Sequence, residues 1–128
     1  MRVLLDTHLL LWAKTAPRRL PEALQLFITQ PDVEPLFSAA SIWEIAIKQS
    51  QLRDDFRVDA AEMRAELLDT GYGELPVLGE HAIAVAGLPW IHKDPFDRLL
   101  VAQAMVESVD LLTVDRQLGR YPGPIRVF

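Results

Sequence analysis

An α/β fold is what the 128-residue chain predicts: one domain over residues 1–128, a three-layer α/β/α sandwich with a central, mostly parallel sheet. Two features of the chain point to it. Short apolar runs of strand length alternate with longer segments of helical period, the pattern of strand–helix–strand crossovers. The helical segments open on start signals, a Ser, Asp or Pro ahead of an apolar stripe, and several close on Gly or Pro.

Taken in order, residues 2–5 (Arg2, Val3, Leu4, Leu5) read as the first strand, and 7–14 as a helix that Pro17 stops. Pro21 suits the first turn of a second helix reaching about residue 29. The polar stretch 30–35 is a loop, and 36–38 a short buried strand. Ser41 starts a helix over 41–52 with Ile42, Ile45 and Ala46 as apolar positions. Asp59 and Glu62 make a capping-box pattern for the next helix, which ends near Gly71. Residues 74–77 read as a third strand, and 80–86 as a short helix closed by Gly87 and Pro89. Asp94-Pro95 opens the most apolar helix of the chain, running to about residue 108. A fourth strand at 111–114, one helical turn at 116–119 and a last strand at 125–127 complete the order.

Composition narrows the function classes. Half of the residues are hydrophobic and 24% charged, an ordinary globular balance that supports a packed core. The nine prolines are dispersed and mark no linker, and there is no repeat or low-complexity segment. The absence of cysteine excludes disulfides, thiolate zinc sites, iron–sulfur clusters and a cysteine nucleophile, and it fits a reducing cytoplasm. Asp6 interrupts the first apolar run, which is too short to span a bilayer, so a soluble cytoplasmic protein away from membranes is expected. The net charge of −5 argues against a generic basic nucleic-acid binder.

Four acids alter that last point: Asp6, Glu44, Asp97 and Asp115. Asp6 and Asp115 close apolar strands, while Glu44 and Asp97 fall in the first turns of the helices opened by Ser41 and Asp94. In an open parallel sheet these places share one edge, where such folds bind ligands. Setting the four aside reduces the 18 acids to 14, against 13 bases, so the remainder is almost neutral and leaves a nucleic-acid substrate open. Four acids at one edge repel unless a cation neutralises them.

Each acid has a plainer role to weigh. Glu44 fits a capping box with Ser41, or an i,i+4 pair with Lys48. Asp94 suits an N-cap ahead of Pro95, Asp97 a helix-dipole acid, and Asp115 a cap for the turn that follows it. Asp6 is the hardest to explain that way, lying between Val3-Leu4-Leu5 and Leu9-Leu10-Leu11. Asp97 stands on a helix whose clearly polar residues over 96–107 are only Asp97, Arg98, Gln103 and Glu107, so it is expected to project into a cleft.

The remaining candidates are weaker. His8, His81 and His92 show no metal-ligand spacing and read as incidental, and Trp12, Trp43 and Trp90 read as core. Ser38 and Thr113 stand beside the acids as hydrogen-bonding support, and Lys48, Arg98 and Arg116 as phosphate contacts or local ion pairs. Neither a Gly-rich phosphate loop nor a G-x-S-x-G elbow is present. All-oxygen ligands suit a hard cation, Mg²⁺ or Mn²⁺, and the reaction class that most naturally uses them is phosphodiester hydrolysis.

The segments around the acids carry a resemblance. Leu4-Leu5-Asp6-Thr7-His8, the run 38–48 (Ser38-Ala39-Ala40-Ser41-Ile42-Trp43-Glu44 onward), the run 94–104 (Asp94-Pro95-Phe96-Asp97-Arg98 onward) and Leu112-Thr113-Val114-Asp115 resemble the PIN domain, and more narrowly the VapC toxins of type II toxin–antitoxin pairs, over essentially the whole chain. The resemblance implies a PIN-like sandwich, a Mg²⁺-dependent endoribonuclease acting on RNA, a homodimer, and a cognate antitoxin that covers the active-site groove. It places the family's acidic quartet at Asp6, Glu44, Asp97 and Asp115, with Asp6 and Asp97 as the direct metal ligands and Asp94 as a possible helper. Two rivals stand beside it: a receiver-like or phosphoryl-transfer domain using Asp6 as acceptor, and a noncatalytic RNA- or protein-binding module with a structural cation.

Overall fold

The computed structural model describes residues 1–51 and 53–128. Among these, five strands form one sheet: β1 (Arg2–Leu5), β2 (Glu34–Ser38), β3 (Gly73–Leu75), β4 (Asp110–Thr113) and β5 (Ile125–Val127), in the order β3-β2-β1-β4-β5. Every neighbouring pair is parallel. The helices are α1 (Thr7–Thr15), α2 (Glu22–Ile28), α3 (Ala39–Ser50), α4 (Ala60–Asp69), α5 (Gly79–Ala84) and α6 (Pro95–Glu107).

Alternation along the strands divides the core into two layers. Val3 and Leu5 of β1, Phe37 of β2 and Leu112 of β4 face one side, with Leu9, Leu24, Ile45 and Met63 from α1 to α4 packed over them. Leu4, Leu36 and Leu111 face the other, under Leu100, Val101 and Ala104 of α6. Side chains that point alternately to two covered faces produce runs of continuous hydrophobicity, and this is why the strands read as unbroken apolar stretches. The predicted sandwich is therefore the observed one, with a sheet that is wholly parallel. No helix is long and apolar enough to cross a membrane among the described residues.

Caps locate the helix ends. Asp59 accepts the Glu62 N–H at 3.0 Å and starts α4. The same helix ends where Gly71 takes φ +96° and the Tyr72 N–H returns to the Leu67 carbonyl at 3.0 Å, a paired closure that favours glycine. Asp94 caps α6 ahead of Pro95, as expected, accepting from Phe96 at 2.8 Å.

Elsewhere the elements depart from expectation. The helix expected from Ser41 begins at Ala39, because Ser38 and not Ser41 is the cap, its hydroxyl accepting the Ala40 N–H at 3.0 Å. Ser41 instead meets the Thr7 hydroxyl at 2.8 Å, tying α3 to α1. The expected end of that helix at Leu52 lies outside the described residues. Strand β2 reaches back through Pro35 to Glu34 rather than starting at Leu36. Pro35 is tolerated because β3 is not yet alongside, the β2–β3 register starting at Leu36 and Gly73. Of the tryptophans assigned to the core, Trp43 is 61% and Trp90 83% exposed. Residue 43 turns outward because its neighbours Ile42 and Ile45 take the inward stripe of α3.

Candidate metal centre

The sheet order reverses between β1 and β4. Strands β2 and β3 continue on one side of β1, and β4 and β5 on the other, which opens a crevice at the carboxyl ends of β1 and β4. Asp6 follows the last residue of β1, and its backbone N–H donates to the Leu112 carbonyl of β4 at 3.1 Å. Its side chain does two things: Oδ1 accepts the Leu9 N–H at 3.0 Å as the cap of α1, and Oδ2 accepts the Thr113 hydroxyl of β4. Asp6 thus has a capping role that was missed in the sequence. It is only 2% exposed, and burial raises its pKa against the lowering effect of the Thr113 and Leu9 hydrogen bonds.

Asp97 enters the same crevice from the first turn of α6. Desolvation pushes its pKa up to about 7, and the charges of Asp94, Asp6 and Glu44 push the same way, while His92 opposes them. An acid that feels three other carboxylates at once stands inside a cluster. Glu44 joins from the second turn of α3, since the earlier start of that helix takes it out of the first turn and rules out the capping box with Ser41. Its Oε2 lies 3.5 Å from Lys48, and its buried Oε1 has no hydrogen-bond partner among the described residues.

Asp115 completes the set. Its Oδ1 accepts the Gln117 N–H at 2.9 Å, the turn-capping role expected for it, and its Oδ2 lies 3.2 Å from His92 Nε2. His92, read as incidental in sequence, stands between two of the acids, and its ligand atom lies within 4.8 Å of those of Asp97 and Asp115. Spacing along the chain gave no sign of it, because its place depends on Tyr121, 29 residues later, whose hydroxyl accepts the His92 N–H at 2.8 Å.

The supporting residues divide. Thr113 reaches an acid, whereas Ser38 does not: its hydroxyl donates to Gln103 of α6 at 2.6 Å. Arg98 is no phosphate contact, being 4% exposed and committed to the carbonyls of Pro89 and Val85 and to the Tyr121 hydroxyl. Lys48 forms the local pair with Glu44, and Arg116 is exposed. Lys48 and Lys93 line a groove of about 420 Å³ with Glu44, Asp94 and Phe96, and the exposed Trp43 lies edge-on to Phe96 at 5.1 Å. His81 is fully buried, held by the Leu78 N–H on Nδ1 and by Glu107 on Nε2.

The donor set suits a hard divalent cation. It is built of carboxylate oxygens, one of them buried without a partner among the described residues, and two of its acids have raised pKa values that a cation would relieve.

Comparison with known proteins supports the same conclusion about kinship. The PIN domain matches residues 3–124 of the chain. Ribonuclease VapC22 of Mycobacterium tuberculosis (strain ATCC 25618 / H37Rv) is 31% identical over 131 residues, covering 98% of each chain. Among solved structures, VapBC2 from Rickettsia felis, bound to a DNA fragment from its promoter, aligns with a TM-score of 0.75 at 13% identity, over 100% of this chain and 99% of that one. VapBC-5 from Mycobacterium tuberculosis aligns with a TM-score of 0.65 at 18% identity, over 99% and 97%. At these identities the structural likeness shows the fold alone.

Proposed function

The chain belongs to the PIN-domain family, in its VapC branch, and from that premise we propose that it is a Mg²⁺-dependent endoribonuclease, the toxin of a toxin–antitoxin pair. The observation that carries this reading is the close grouping of Asp97, Asp115 and His92, whose ligand atoms lie within 4.8 Å of one another, at the edge where Asp6 closes β1 and where the charges of Asp94, Asp6 and Glu44 all raise the pKa of Asp97. Asp6 and Asp97 would hold the cation, with Glu44 and Asp115 holding a second ion or orienting the attacking water. Mn²⁺ fits the same oxygen set. When bound, such an ion supplies Lewis-acid activation of water and neutralises charge on the phosphodiester.

The protein's own groups supply the rest. Capping of α1 by Asp6 and its bond from Thr113 fix that carboxylate before any ion arrives. Burial of Asp6 and Asp97 strips both carboxylates of most of their own hydration, which strengthens their pull on a cation. Lys48 and Lys93 in the adjoining groove would meet the RNA backbone, and Trp43 would offer a face for base stacking. Kinship with a ribonuclease supports an RNA substrate, the fold shared with the toxins of VapBC complexes is in keeping with an antitoxin partner, and a cytoplasmic homodimer is part of the same proposal.

Asp6→Asn is the direct test. Asparagine still caps a helix, so the variant is expected to fold while RNA cleavage falls by about a hundredfold or more. Full activity in that variant, or undiminished cleavage in excess EDTA, overturns the proposal. RNA or partner binding with no cleavage under any divalent ion would identify the noncatalytic binding module instead.

A further inference from the structure

Loop 88–94 delivers His92 to the metal centre, and buried groups hold that loop from beneath. Arg98 donates to the carbonyls of Pro89 at 2.9 Å and Val85 at 3.2 Å, and to the Tyr121 hydroxyl at 3.1 Å. Its guanidinium also stacks 4.1 Å from the Trp90 ring. Tyr121 then receives the backbone N–H of His92 at 2.8 Å. The imidazole is fixed as well as the backbone: Nδ1 accepts the Asp94 N–H at 3.1 Å. A ring nitrogen that accepts a backbone N–H carries no proton, so in the neutral ring the proton is on Nε2. That nitrogen lies 3.2 Å from Asp115 Oδ2 and 3.6 Å from Asp97 Oδ2.

We propose that His92 is a positioning residue of the metal centre, an Nε2–H donor that holds Asp115 beside Asp97, and that it is not itself a ligand to the cation. The inference rests on the metal-centre reading above. The two uses of the imidazole exclude one another. Ligation through Nε2 needs a lone pair there and the proton on Nδ1, where it would face the Asp94 N–H donor to donor. Asp94 therefore has two tasks. Its carboxylate caps α6 through the N–H groups of Phe96 and Asp97, and its amide selects the tautomer of His92. The close grouping of His92, Asp97 and Asp115 looks like a three-ligand set, but the hydrogen bond at Nδ1 makes it two carboxylates and their clamp.

Long-range ¹H–¹⁵N spectra of the wild-type protein labelled at histidine read the tautomer directly. Nε2 protonated and Nδ1 bare, both in EDTA and with Mg²⁺, is the expected result, and a proton on Nδ1 overturns the proposal. Mn²⁺-loaded protein should show no directly coordinated ¹⁴N by pulsed electron paramagnetic resonance, and such a coupling would likewise overturn it. Mn²⁺ affinity should fall about tenfold or more in His92→Leu and return toward wild type in His92→Gln, whose amide keeps an N–H donor. Unchanged affinity in His92→Leu, or a loss that His92→Gln leaves uncorrected, counts against the clamp. Failure of Mn²⁺ to bind the wild type sinks the metal-centre reading itself, while the tautomer is still read separately.

Discussion

Asp97 is a buried acid set among other acids. It is 8% exposed, it faces Asp94, Asp6 and Glu44, and its pKa is pushed up to about 7 from an ordinary value of 3.8. Without a cation, the folded protein therefore binds a proton that the unfolded chain has already released across pH 4 to 7. Stability tied to this group is fully present below pH 4 and is lost as pH rises through about 7. Asp97→Asn mimics the protonated acid, so urea unfolding in EDTA should find it more stable than wild type at pH 8 by the order of a few kcal/mol, with no gain at pH 4. A gain that grows toward acid would show that desolvation does not govern Asp97. As candidates the acids stood out in the sequence because Asp6 and Asp115 close apolar runs and Asp97 opens a helix, whereas Glu44, expected in a first turn, stands in the second. The cap made by Asp6 was missed, although the strand expected over 2–5 and the helix expected over 7–14 leave Asp6 at the cap position between them. His92 was hidden for a different reason: its partners Tyr121 and Asp115 come from the far end of the chain.

At the level of the elements, α6 shows what periodicity can and cannot tell. Its apolar character predicted burial, and Leu100, Val101, Ala102 and Ala104 are all fully buried. The same character concealed that Arg98 is buried with them, satisfying backbone carbonyls of the 85–89 stretch in place of solvent or phosphate. Arg98→Ala would leave those carbonyls and the Tyr121 hydroxyl short of donors and remove the stack on Trp90. A loss of about 2–4 kcal/mol in urea unfolding is expected. A variant within about 0.5 kcal/mol of wild type would mean that water replaces the guanidinium without cost. The early start of α3, with Ser38 rather than Ser41 as its cap, has a tertiary cause. Ser38 and Ser41 are equally good caps by residue type, and only the tertiary bond from Thr7 to Ser41 decides between them.

Across the whole molecule, unbroken apolar runs along β1, β2 and β4, buried on both faces, are what made the layers readable, whereas strand order was not encoded in any local pattern. The feature that binds the layers at the functional edge is uncharged. Gln103, midway along α6, accepts from Ser38 at the end of β2 and donates to the Pro76 carbonyl beyond β3 at 3.2 Å. The elements that carry Glu44 and Asp97 are thus spaced by an amide and a hydroxyl, and the acids themselves take no part in setting the gap. That brace opposes relief of their repulsion by opening of the crevice, and proton uptake is the expected response. Ion loading should therefore work as an exchange. Calorimetry in buffers of differing ionisation enthalpy should find about one proton released per site filled at pH 6, falling toward none by pH 9. Release that does not vary with pH would mean that the crevice relaxes. On the proposed reading, such an exchange couples occupancy to acidity: a cation held by Asp97 would compete with protons for the same carboxylate, so the centre would fill less readily as pH falls below about 7.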